Sequence, residues 1–210
     1  QYFYYNNLFQ KQNNLDISIM GENHLEKTGF KVLFSGASIQ KDGSMSRHMS
    51  NWNKFLMMKF YGAEFLKNPS YLNSSVIDTT KAFVSYYGIP HKFLNIFDYL
   101  PWDEKTVDDT IVGQYGWETD PSTPTTWRIG DGTVAFYNYI YYMVAGFTEN
   151  DTFRSNQIRE GMISRETALE QAYQENQPRW ETFQWYCNTI NINWLDALKT
   201  INLITPLYKK

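Results

Sequence analysis

TWRIGDGTVAFYNYIYYMVAGFTENDTFRSNQIREGMISRETAL, residues Thr126–Leu169, opens on a Gly-Asp-Gly turn beside a Trp-Arg pair and runs into an apolar segment. From Thr133 to Ala145 that segment is apolar nearly all round at helical spacing. A surface helix carries one oily stripe and one polar face, so the pattern predicts a helix enclosed by other elements. A charged, glycine-bearing turn at the start of such a helix can offer backbone N–H groups to an anion or a polarised carbonyl. Thr148–Asp151 and Ser164–Thr167 then read as the capped starts of two further helices.

Working outward, helices are expected at about Glu104–Gly113, Asp151–Glu160, Ser164–Glu175, Arg179–Asn188 and Trp194–Ile201. Pro101 ends the preceding run, and Asp103 can cap the helix that follows it. The first third reads differently. Asp16–Met20 and Lys31–Ser35 are short apolar or β-branched runs bounded by glycines, and His91–Phe97 is a third extended segment. Met49–Tyr61 and Ser75–Tyr87 look helical, with Gly62 and Gly88 as stop signals. The Pro/Thr-rich linker Thr119–Thr126 separates an α/β part, residues 1–118, from a helical part, residues 119–210. Gln1 is no start methionine, and helical character begins at once, so the natural sequence is expected to extend upstream.

Composition limits the function classes. The 210 residues are 42% hydrophobic and 20% charged, within the globular range. Net charge is −3, with no dense Lys/Arg cluster to follow a phosphate backbone, which argues against nucleic acid. Cys187 is the only cysteine, so no internal disulfide can form, and a reducing, cytoplasmic location is expected. No apolar run is long enough to span a bilayer. Aromatic residues, at 18%, are the outlier: they serve either as helical core bulk or as faces for pyranose rings, and their helical spacing favours bulk.

Three regions are candidate sites. In the turn Trp127–Thr133, Arg128 would hold an anionic or carbonyl oxygen and Asp131 a hydroxyl, an amine or a metal. Alternatively, Asp131 is a helix cap and Arg128 its surface partner. Asn138, on the following helix, needs a hydrogen-bond partner if buried, from the protein or from a ligand. Ser35-Gly36-Ala37-Ser38 follows a predicted strand and precedes Lys41 and Arg47, a placement suited to phosphate, although a polar surface loop would read the same way. The segment Arg154–Gly161 is expected to be structural, with Glu160, Arg159 and Arg165 forming a solvated charge network. His24, His48 and His91 share no metal-ligand spacing with Cys187, so no zinc site is expected.

The order DYLPWDE (98–104), TWRIGDGT (126–133), a tyrosine-rich helix and S-x-x-I-x-x-G-x-x-x-R-E-x-A-L (Ser155–Leu169) resembles the C-terminal part of the N-acetyl sugar amidotransferases. The resemblance covers about residues 90–200 and extends to the NINW turn before the last helix. It implies a fold like the adenine nucleotide alpha hydrolases: a remnant of a parallel sheet flanked by helices, followed by a mainly helical C-terminal region. It also implies ATP and Mg as cofactors, a sugar-like substrate whose carbonyl is adenylated, and ammonia from a glutaminase subunit. The setting implied is cytoplasmic surface-sugar and lipopolysaccharide biosynthesis, with a homo-oligomer possible.

On this reading Arg128 and Asp131 are catalytic contacts, Ser35, Gly36, Ser38 and Lys41 hold the nucleotide phosphates, and Trp127, Asn138 and Arg154 contact substrate. Two departures stand beside it. The family's Ser-Gly-Gly-x-Asp-Ser loop is absent from these residues, and the loop after Gly36 lacks the usual nearby acidic residues. The expectation is therefore a fragment of the enzyme, inactive alone, or else a non-catalytic module that binds a carbohydrate or a protein partner.

Overall fold

The computed structural model describes residues 2–26, 50–88, 92–119 and 133–207. It is mostly helical, with one small parallel sheet, and the chain divides into two compact units. The first comprises Gln1–Asn23 and Thr28–Leu100; the second comprises His24–Lys27 and Pro101–Lys210.

In the first unit α1 (Tyr2–Asn13) leads to β1 (Ser18–Met20), and α2 (Asn51–Lys67) and α3 (Ser74–Gly88) precede β2 (Phe93–Asn95). The strands pair in parallel, with Ser18 opposite Phe93, Ile19 opposite Leu94 and Met20 opposite Asn95. Parallel neighbours need a long crossover, and the chain between them, with α2 and α3, supplies it. Helix α1 is tied to both α3 and the sheet. Asn7 Nδ2 donates to Ser85 Oγ at 2.9 Å, and Ser18 Oγ donates to Asn6 Oδ1 at 2.7 Å.

Helix α2 corrects one expectation. Gly62 does not stop it; the helix continues to Lys67 and ends where Asn68 precedes Pro69. One interior glycine only weakens a helix, whereas a residue before proline is forced out of the helical region. The expected strand Lys31–Ser35 lies outside the described residues. The strand expected over Asp16–Met20 forms over its last three residues, and the extended segment His91–Phe97 shortens to β2 followed by a 3-10 turn at Ile96–Asp98.

The second unit holds α4 (Glu104–Ile111), α5 (Thr133–Ala145), α6 (Glu149–Arg159), α7 (Arg165–Glu175), α8 (Trp180–Thr189) and α9 (Trp194–Asn202). Their starts follow from local chemistry. Asp103 accepts from the Thr106 N–H at 2.8 Å, Ser164 from the Thr167 N–H at 3.1 Å, and Asn193 from the N–H groups of Leu195 and Asp196. Thr148 and Asp151 form a reciprocal capping box at α6. Gly146 and Gly161 stand in left-handed conformations, at φ +80° and +70°, just beyond α5 and α6.

Among the described residues, an apolar cluster and an aromatic pair hold this unit. Phe183, Cys187 and Ile201 are buried against Phe136, Tyr139, Ile140 and Met143 of α5 and against Trp194, Ala197 and Leu198 of α9. Phe136 stacks on Phe183 with ring centres 5.2 Å apart. Fully buried Phe153 of α6 meets Trp102 edge-on at 5.5 Å. The turn His24–Glu26 joins the same unit: Leu25 is fully buried, and its carbonyl accepts from Asn156 Nδ2 at 2.7 Å. As its composition predicts, α5 is largely covered, with only Tyr142 classed as exposed.

Candidate functional site

The densest polar arrangement among the described residues centres on Arg154, in the middle of α6 and only 3% exposed. Its Nε donates to both carboxylate oxygens of Glu175 at 3.1 Å. Nη1 donates to Glu104 Oε2 at 2.6 Å and to Gln157 Oε1 at 2.7 Å. Nη2 donates to Glu104 Oε1 at 3.1 Å and makes a further short contact with Glu175 Oε1. The first turn of α4, one turn of α6 and the last residue of α7 therefore converge on one guanidinium.

Burial alone would lower the affinity of this guanidinium for its proton. Hydrogen bonds from Glu175 and Glu104, and then their charges, more than reverse that, so its pKa is raised above the ordinary arginine value. Asp108, one turn beyond Glu104, also has its pKa raised, which for a carboxylate disfavours the charged form. Desolvation raises its pKa, and the negative charges of Glu104 and Asp109 raise it further.

A second polar layer adjoins this node at the α6–α7 end. Thr148 Oγ1 donates to Asn176 Oδ1 at 2.5 Å, and Asn176 Nδ2 donates to Asp151 Oδ2 at 2.7 Å. Asn150 Nδ2 donates to the Glu175 carbonyl at 3.1 Å. A hollow of about 380 Å³ opens between the end of α7 and the start of α8, lined by Gln174, Gln177, Pro178, Trp180 and Glu181 together with Glu175. Its aromatic wall is Trp180, whose ring lies edge-on to Tyr139 at 5.3 Å.

The sequence-derived candidates fall in different places. Arg154 is buried in the charge node, where all five guanidinium N–H groups meet acceptors of the protein itself. Asn138 is buried on α5, and among the described residues neither atom of its side-chain amide has a hydrogen-bond partner. Trp127, Arg128 and Asp131, and likewise Ser35, Gly36, Ser38 and Lys41, lie outside the described residues. Helix α5 begins at Thr133, immediately after Gly132.

The charge network expected of Glu160, Arg159 and Arg165 takes another form. Glu160 pairs with His24 at 3.8 Å, and Arg159 donates to Asn156 Oδ1 at 2.7 Å. The node at Arg154 also engages Gln157, within the Arg154–Gly161 segment, and Glu104 and Glu175, which the pattern of the sequence did not single out. Gln157 was legible as a neighbour three residues along the same helix, but Glu104 and Glu175 are 50 and 21 residues away. Cys187 is fully buried, and burial pushes its thiol pKa up, the reverse of what an activated nucleophile needs.

Among the described residues, no group of three His, Cys, Asp or Glu side chains is placed to hold a metal ion. Nor is any helix there long and apolar enough to cross a membrane. Comparison with protein-family models, curated proteins and solved structures finds no match to this chain.

Proposed function

We propose that the chain is the C-terminal portion of an ATP-dependent amidotransferase that adenylates a carbonyl of a sugar-like substrate for attack by ammonia. The observation that carries this reading is the motif order from DYLPWDE through TWRIGDGT to the Ser155–Leu169 run, which follows that of the N-acetyl sugar amidotransferases. The finer fold assignment, to a layer like the adenine nucleotide alpha hydrolases, belongs to the same proposal. It draws support from the parallel pairing of β1 and β2 across a helical crossover.

The chemistry needs positioned charge more than a protein nucleophile. A carbonyl oxygen attacks the α-phosphorus of ATP and pyrophosphate leaves; ammonia then adds to the activated carbon and AMP departs with the oxygen. Mg would neutralise the phosphates. In this reading Arg128 and Asp131 contact the substrate or its adenylate, and Trp127 and Asn138 line the substrate. Ser35, Gly36, Ser38 and Lys41 hold the phosphates, and ammonia comes from a glutaminase subunit in the cytoplasm. Arg154 has a different role here: with its donors occupied, it braces α4, α6 and α7 against one another. The reading is tested by following AMP and pyrophosphate release from ATP in the full-length enzyme, with ammonia and an N-acetylated sugar. Release that requires both co-substrates supports it, and ADP with phosphate would reject it.

A second reading, a non-catalytic module that binds a carbohydrate or a protein partner, rests on α2. Trp52 and Phe55 stack there at 5.6 Å and are 66% and 54% exposed. Sugar binding in the absence of any nucleotide affinity favours it.

A further inference from the structure

We propose that the hollow between α7 and α8 is a binding site for a neutral pyranose sugar, with Trp180 against the ring and the Glu181 carboxylate accepting from a hydroxyl. The hollow measures about 380 Å³, at the lower end for small-molecule sites, which leaves room for one sugar ring and its substituents. Trp180, Glu181, Gln174 and Gln177 all line it. Trp180 is fixed by edge-on contacts with Tyr139 at 5.3 Å and Phe183 at 6.3 Å, yet it remains 45% exposed. An aromatic ring held in place and left open offers an apolar face to the C–H groups of a pyranose.

The walls are set before any ligand arrives. Helix α7 ends at Glu175, whose carboxylate is held by Arg154 and whose carbonyl accepts from Asn150. Gln177 is confined to extended backbone by Pro178 after it, and its Nε2 donates back to the Tyr173 carbonyl at 3.0 Å. A site that needs little ordering loses less on binding. Its polar groups are not all spent on the fold: among the described residues, neither Glu181 nor Gln174 makes a side-chain hydrogen bond or ion pair. A carboxylate accepts and an amide both accepts and donates, a combination that suits hydroxyls, which do both. Charge points the same way. Glu175 is paired with Arg154, and Arg179 on the same wall offsets Glu181, which favours a neutral ligand over an anion or a cation. The site goes beyond the amidotransferase reading, since none of the residues assigned there to substrate or nucleotide lines it.

The test uses the full chain with its tryptophan indoles labelled with ¹⁵N and no nucleotide present. Glucose, galactose, N-acetylglucosamine and choline are titrated separately through the millimolar range, and the Trp180 signal is assigned by its loss in Trp180→Phe. At least one sugar is expected to shift that signal saturably, and to bind about fivefold or more weakly to Glu181→Ala. Glu181 is exposed, so that variant keeps the fold and the comparison does not depend on Trp180→Phe remaining stable. If no sugar moves the Trp180 signal, the proposal is overturned, even where other tryptophans respond. Choline moving it while the sugars do not makes the hollow a cation site and also overturns the proposal. So does a sugar affinity indifferent to Glu181→Ala. AMP release from ATP is read in a separate assay, so a silent hollow leaves the amidotransferase reading intact, and absent AMP release leaves this site untouched.

Discussion

Arg154 shows how a buried charge in this chain is tolerated. Its positive charge is shared between two carboxylates, and the geometry leaves no N–H unmatched. Removing the arginine strands Glu104 and Glu175 against each other at the junction of α4, α6 and α7. Arg154→Ala is therefore expected to destabilise the second unit by about 3–5 kcal/mol, read as a fall in the urea midpoint. Little change there would mean that water already penetrates the node. Asp103 acts on a smaller range. Its hydrogen bonds from the Thr106 side chain and backbone hold its pKa below the ordinary value of 3.8. A carboxylate lowered in the folded state contributes stability that is present above the unfolded pKa and is lost as pH falls through the folded one. Asp103→Ala should cost about 1 kcal/mol at pH 7. The gap to the unsubstituted protein should narrow in urea melts as the pH falls below 3.8 toward the lowered folded value, and a gap constant with pH would refute the assignment.

The helices were legible because their signals are local. The run Thr133–Ala145 reads as a helix from its apolar content, and α5 has those bounds. The caps at Asp103, Thr148 and Ser164 depend on a side chain and an N–H two or three residues apart. Gly62 misled because a stop requires a left-handed residue or a following proline, and Gly62 is an interior helical residue with open space where a Cβ would lie. Gly62→Ala is accordingly expected to raise stability by about 1 kcal/mol. Gly146→Ala, at φ +80°, should lower it by about 1–2 kcal/mol. Thermal melts of the two variants moving in the same direction would contradict this distinction. The site was less legible, because Glu104 and Glu175 reach Arg154 only once three helices have assembled.

Across the molecule, large apolar side chains stand exposed in both units. In the second unit apolar side chains close around Phe183, and Phe153 meets Trp102; in the first, Ile19 of β1 remains 67% exposed. Parallel strands are ordinarily covered on both faces. In the amidotransferase reading that surface belongs to a larger nucleotide-binding layer, and the second unit carries the segment that meets the substrate. That reading makes the Trp127–Thr133 turn the chemical centre and α5, which starts directly after it, its support. The most direct measurement is the rate of ammonia-dependent AMP release from ATP by the full-length enzyme with an N-acetylated sugar, compared with Arg128→Ala. The account predicts a rate at least about tenfold lower for the variant with its fold preserved by circular dichroism. An equal rate in both proteins, or no AMP from either, would contradict it.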